Sequence, residues 1–193
     1  MSKSSSSTRL GDLAWSKSPK TSSSLFTLTY GVLVNHLCTS SSPSSEVSAS
    51  LLKIGQNIGT RLIDDYISKT SLLNPSGPSP CSSFTSTAES IAKVGLKMFL
   101  GVTADVRVDS DVGYSLVLSQ NPLADFVELP DERSDLKYSN VLAGCIKGCL
   151  ESVGFEVEVE VVKDTVWGDE CLEIKVEGKG RRRDELEGGF KDE

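Results

Sequence analysis

The chain has 193 residues, 38% of them hydrophobic and 24% charged, with a formal net charge of −7 and a single histidine. That acidic balance argues against broad nucleic-acid binding, which runs on phosphate neutralisation, and against attraction of the whole surface to an anionic membrane. A core of about 150 residues buries roughly 70% of its unfolded surface and needs no covalent staples. The five cysteines, Cys38, Cys81, Cys145, Cys149 and Cys171, are odd in number and fit no disulfide framework, so a reduced, intracellular setting is expected.

Residues 1–24 are serine-rich and have no apolar segment of the kind a secretory signal needs. Lys3, Arg9, Lys17 and Lys20 against a lone Asp12 resemble a transit peptide. The simpler reading is a disordered tail with too little apolar surface to fold. Leu25, Leu28, Val32, Leu33 and Leu37 then recur at helical spacing, with Ser23 or Ser24 available as N-cap. A second helix carries Leu51, Ile54, Ile58, Leu62 and Tyr66 as its stripe. Gly55 and Gly59 fall beside that stripe one turn apart, each costing about 1 kcal/mol of helix propensity relative to Ala. Two compensations are open: close approach by another helix, or by a ligand.

The segment "LLNPSGPSPCSSF" (72–84) reads as a turn-rich loop holding Cys81. A third helix follows, with Ser86 and Glu89 as a capping box, Ala88, Ile91, Ala92, Gly95 and Phe99 on one face, and Gly101 as its stop. "DSDVG" (109–113) is a hairpin turn between one short strand with Val106 and Val108 and another with Tyr114, Leu116 and Leu118. After a long loop, "NPLADFVELPDERSD", a fourth helix places Tyr138, Val141, Leu142, Cys145, Cys149 and Val153 on one face, with Gly144 and Gly148 as a smooth side. Phe155, Val157, Val159 and Val161 alternate with Glu156, Glu158 and Glu160, which is a half-buried strand. Leu172, Ile174 and Val176 mark its partner, and from Lys179 a charged mobile tail is expected. The order predicts an α+β, two-layer domain: a four-stranded antiparallel sheet covered on one face by about four helices.

Little in this pattern points to catalysis. His36 is expected to be a packed or boundary residue on the first helix, not the partner of Cys81 in a cysteine hydrolase. Cys145 and Cys149 lie one helical turn apart, but without further ligands nearby they read as core thiols and not a zinc site. "GKGRRRDE" lacks the strand–loop–helix setting of a phosphate loop, and Lys93 with Lys97 reads as a solvated helix face. Cys81 differs from the other cysteines because it precedes a helix start, where the helix dipole and free amides favour a thiolate. Spacing alone leaves an idle loop cysteine equally open.

Five segments carry a resemblance: "LFTLTYGVLVNHLC" (25–38), "IGQNIGTRLIDDYI" (54–67), "IAKVGLKMFLGVT" (91–103), "NPLADFVELP" (121–130) and "LKYSNVLAGCIKGCLE" (136–151). In this order they resemble the Bet-three-type core subunits of TRAPP, the transport protein particle, over roughly residues 25–180. The resemblance implies an α-β plait over residues 25–178, flanked by the tails 1–24 and 179–193. It implies a non-enzymatic adaptor in a vesicle-tethering complex acting between endoplasmic reticulum and Golgi, at most part of a multisubunit nucleotide exchange factor for a Rab-type GTPase. Implied partners are other TRAPP small subunits, in homodimers or heterodimers, with peripheral contact to cis-Golgi and endoplasmic reticulum membranes from the cytoplasm and no nucleic acid. The implied cofactor is palmitate or a similar fatty acyl chain, held as a thioester on Cys81 in an apolar channel beside Gly95, with Gly55 and Gly59 as further channel positions. This sequence places serines around Cys81 where the family has charged residues, and its tail after Arg183 is acidic. The alternative is a stand-alone hydrocarbon- or small-molecule-binding domain of the same fold.

Overall fold

A computed structural model describes residues 6–40, 43–75 and 84–181. Apolar alternation sets the sheet. Strands β1 (Asp105–Ser110), β2 (Gly113–Leu118), β3 (Phe155–Lys163) and β4 (Leu172–Arg181) pair in the order β1-β2-β4-β3, antiparallel throughout. In β3, Phe155, Val157, Val159 and Val161 are buried and the intervening glutamates exposed, as a pleated strand with water on one side requires. Tyr114, Leu116 and Leu118 of β2 and Leu172, Ile174 and Val176 of β4 complete the apolar face. The charged face is laced by cross-strand pairs such as Lys179–Glu158 and Lys163–Glu173. β4 runs to Arg181, three residues beyond the expected domain end, because Phe155 of β3 still pairs with it.

Helix α1 spans Ser6–Lys17, α2 Ser23–Ser40 and α3 Ser44–Leu73. Helix α4 (Phe84–Glu89), a π-helical turn (Ser90–Gly95) and α5 (Leu96–Leu100) follow one another, and α6 is Asn140–Ser152. Helix α6 lies on the sheet, and α3 lies on α6 along a seam of glycines. A Cβ at Gly55 would stand 2.1 Å from the Val141 carbonyl oxygen, and one at Gly59 2.1 Å from that of Cys145. Reciprocally, a Cβ at Gly144 would stand 2.1 Å from the Leu52 carbonyl oxygen, and one at Gly148 2.2 Å from that of Gln56. The lost helix propensity is offset by backbone-to-backbone packing of two long helices, the first of the two compensations the sequence left open.

Four expectations need correction. The N-terminal segment is not wholly a disordered tail: Gly11 lets α1 settle on the Lys93 carbonyl, Ala14 is 1% exposed, and Trp15 lies over Gly101, whose φ is +75°. Lys20 then places its ammonium 4.6 Å from the Trp15 ring centre. Ser86 lies inside α4, so the capping box with Glu89 does not form. The third helix is also not continuous, because a π turn interrupts it. On α2 the apolar stripe points outward, with Thr27, Tyr30 and Val34 facing in, and His36 is accordingly exposed.

Candidate functional site

Cys81 lies outside the described residues, and the first described residue after it is Phe84. Phe84 sits 5.1 Å from the Tyr114 ring and 5.7 Å from that of Phe155, centre to centre, and covers Gly178 of β4. One turn on, the Thr87 hydroxyl and the Tyr114 hydroxyl are 3.0 Å apart in a buried hydrogen bond. Phe84 and Thr87 thereby pack at the end of the sheet's apolar face where β2 and β3 begin.

Gly95 ends the π-helical turn. A Cβ there would meet Ser90 O at 3.7 Å and Tyr66 Cε2 at 4.0 Å, so a methyl group fits at ordinary contact distance. Widened π turns are short, and they occur frequently at functional sites. Around this position lies an apolar cluster separate from the main core: Ile63 and Tyr66 of α3, Val94 and Met98, and Ala14 of α1, with Leu10, Leu73 and Cys149 packed on it. The structure separates the three glycines expected to line a channel. Gly55 and Gly59 have the α6 main chain against them, while Gly95 faces Tyr66, two turns further along the same buried stripe of α3.

The remaining titratable candidates fall into place around this arrangement. Burial, then the neighbouring Cys149, pushes the Cys145 thiol up to about 12, and the Cys149 thiol donates to Gly59 O at 3.2 Å. Cys145 is thus held as a protonated thiol, poorly suited to attack. Lys93 donates to Ala104 O at 2.6 Å, and Lys97 donates to Gly101 O at 3.3 Å while lying 3.9 Å from Asp12. Lys93 ties the π turn to the start of β1 and Lys97 closes the end of α5 and reaches α1, instead of forming a free basic patch.

The motifs carrying the resemblance join in a buried polar knot that sequence reasoning missed. Asn121 donates from Nδ2 to Ser139 Oγ at 2.8 Å and to Asp164 Oδ1 at 3.1 Å. The Ser139 amide donates to Asp164 Oδ2 at 3.2 Å, and the Leu123 amide to Asn121 Oδ1 at 3.1 Å. Asp164 is fully buried, and Asp169 in turn accepts from its amide at 2.9 Å. Beside the knot, Tyr30 of α2 donates to Tyr138 O, and their rings meet edge-on at 4.9 Å. Burial, then Tyr138 and Asp164, pushes the Tyr30 hydroxyl far above the ordinary tyrosine value. The only signal for the knot was a turn-like Asp in "KDTVWGDE", which carries no information about its distant partners.

Helix α2 offers a second candidate surface. Leu25, Phe26, Leu28 and Val32 are 63%, 52%, 56% and 69% exposed, with Leu33 beside them. Thr27 anchors the other side of the helix by donating to Pro122 O at 2.9 Å. Among the described residues no helix is long and apolar enough to cross a membrane.

Comparison with known proteins places the chain. It is 45% identical over 172 residues to a trafficking protein particle complex subunit 3 of Dictyostelium discoideum, covering 87% of this chain and 89% of that protein. It is 40% identical over 187 residues to a transport protein particle subunit of Schizosaccharomyces pombe, covering 95% and 98% respectively. Among solved structures, a trafficking protein particle complex subunit 3 from Naegleria fowleri, described as covalently bound to palmitic acid, superposes with a TM-score of 0.77 at 42% identity. That match covers 84% of this chain and 98% of the other. Residues 26–177 match the family described as transport protein particle (TRAPP) component, and the chain belongs to that family.

Proposed function

We propose that this chain is a core adaptor subunit of the TRAPP vesicle-tethering complex in transport between endoplasmic reticulum and Golgi, and that it carries a fatty acyl chain as a thioester on Cys81. The observation that carries the acyl reading is Gly95, where a Cβ fits at ordinary van der Waals distance from Tyr66 of an apolar cluster, 14 residues after Cys81, in a fold shared with a palmitate-bound relative. The acyl chain passes beside Gly95 and Tyr66. Gly55 and Gly59 contribute indirectly, by drawing α6 against α3. Burial of a palmitate-length chain transfers on the order of 10 kcal/mol at ~0.8 kcal/mol per CH₂, which makes an internal channel a strong sink for it.

The outward apolar face of α2 takes a related small subunit or a second copy, since a contiguous exposed apolar patch of this kind marks an interaction surface. Through that assembly the protein contributes to nucleotide exchange on a Rab-type GTPase. The segment after Lys179 is the part nearest that reaction, and its acidic residues favour a scaffolding role. The protein acts from the cytoplasm as a peripheral component of cis-Golgi and endoplasmic reticulum membranes.

Intact mass and size-exclusion of protein from its native cell, with and without hydroxylamine, test both halves. A hydroxylamine-labile acyl increment and co-eluting small subunits are expected. Bare protein eluting alone overturns the proposal, and acylated protein eluting without partners favours a stand-alone hydrocarbon-binding domain.

A further inference from the structure

The loop between β2 and α6 presents a feature that neither the acyl site nor the α2 face uses. Gln120, Asn121, Ala124, Asp125, Val127 and Thr165 line a cleft of about 430 Å³. A second cleft of about 210 Å³ shares Ser119 and Gln120 with it, extending the groove toward Gly101. The loop is firmly held. Asn121 ties it to Ser139 and Asp164, and the Val127 amide donates to Ala124 O at 3.1 Å. Val127 and Leu129 pack into the main core, which turns Phe126 and Glu128 outward, and Phe126 is 61% exposed. Its exposure is therefore imposed by the register of an anchored loop.

Charge says what this surface takes. Asp125, Glu128, Asp131, Glu132 and Asp135 are all exposed, and none pairs with a basic side chain among the described residues. The one basic residue among them, Arg133, turns inward and donates to Cys38 O at 3.1 Å. In the cleft wall, the Thr165 hydroxyl is buried and has no hydrogen-bond partner among the described residues. We propose that this loop and cleft dock a basic, extended segment of a partner protein, whose apolar side chain packs on Phe126 and whose lysines or arginines meet the five carboxylates. The same charges repel an anionic lipid surface, a nucleic acid and a second copy of this acidic chain.

The test places the photo-cross-linker p-benzoylphenylalanine at Phe126 in the full chain, in its native cell, with Val162 on the exposed side of β3 as control site. Cross-linked peptides are identified by mass spectrometry. The proposal expects a partner peptide of net positive charge, enriched over the Val162 control. Cross-linking falls about tenfold or more when Asp125→Lys and Glu128→Lys are added, because like charges then face each other. Phe126→Ser retains the wild-type melting temperature, so loss of binding cannot be loss of fold. No cross-link above control, a neutral or acidic peptide, a lipid adduct, or indifference to charge reversal overturns the proposal. Leu28→Ser with Val32→Ser on α2 leaves the cross-link intact. If those changes abolish it, the loop belongs to the α2 interface and the separate site is refuted.

Discussion

Substitution of Gly95 separates a channel from a packed helix. A Cβ at Gly95 has its nearest neighbours at 3.7 Å and 4.0 Å, ordinary van der Waals distances. Gly95→Ala should therefore fold and gain up to about 1 kcal/mol of helix propensity. For a domain of this size that raises Tm by about 2–4 °C. Gly95→Leu adds three further carbons toward Tyr66 and the cluster of Ile63, Val94 and Met98. If the space there holds an acyl chain, Leu occupies it, and the protein stays folded while acyl occupancy by intact mass falls below about a tenth of wild type. Overpacking of a site with no such space typically costs about 1–3 kcal/mol instead. The assay pairs thermal unfolding with intact mass for all three proteins. A Leu variant that keeps full acyl occupancy refutes the channel assignment. A Gly95→Ala variant destabilised by more than about 1 kcal/mol refutes the room for a side chain from which it was argued.

Other consequences follow from the packing and the buried charges. Gly59→Ala puts a Cβ 2.1 Å from the Cys145 carbonyl oxygen, a backbone atom that cannot swing aside. A loss of about 3 kcal/mol or more in urea unfolding is expected, and a loss below about 1 kcal/mol would show that the α3–α6 seam is loose. Asp164→Ala strands the Ser139 amide and removes one of the two acceptors of Asn121 Nδ2; a loss of about 3 kcal/mol is expected in the same assay, whereas a near-neutral result would remove the knot as a stabilising element. Cys145 is raised from 9.0 to about 12 in the folded protein, so between those values the unfolded thiol ionises while the folded one stays protonated. Its contribution is whole below pH 9 and is lost as pH climbs toward 12. From pH 8 to 10 stability should drop by up to about 1.4 kcal/mol more in wild type than in Cys145→Ala, and equal slopes would refute that assignment. On α2, Leu28→Ser with Val32→Ser should change stability by no more than about 0.5 kcal/mol while abolishing co-elution with small subunits; retained co-elution would place the interface elsewhere.

The parts of the fold legible in the sequence were those with a short period. Every second residue of β3 is apolar, so the strand, its buried face and its solvated glutamates follow from local spacing. Helix α2 was legible as a helix, but not in its orientation. Periodicity reports that Leu25, Leu28 and Val32 share a face, not whether this chain or another molecule covers it. Helix α1 carries only Leu10, Leu13, Ala14 and Trp15 as apolar residues, and its order comes from docking Gly11, Ala14 and Trp15 on the segment from Lys93 to Gly101. A π turn adds one residue per turn without changing composition, so the break in the third helix left no mark. Gly55 and Gly59 announced a close approach, but only the tertiary structure supplies the Val141 and Cys145 carbonyls that make it. The Asn121–Ser139–Asp164 knot joins residues far apart in the chain, which no local pattern encodes.

The central claim is a thioester at one named cysteine. The most direct measurement is peptide mapping of the full-length protein from its native cell, in which free thiols are blocked, thioesters are cleaved with hydroxylamine, and newly exposed thiols are labelled. The account predicts label on the peptide containing Cys81, and none on Cys145 or Cys149, whose thiols serve the α3–α6 packing. Label absent from Cys81, or present instead on Cys38, Cys145, Cys149 or Cys171, contradicts it.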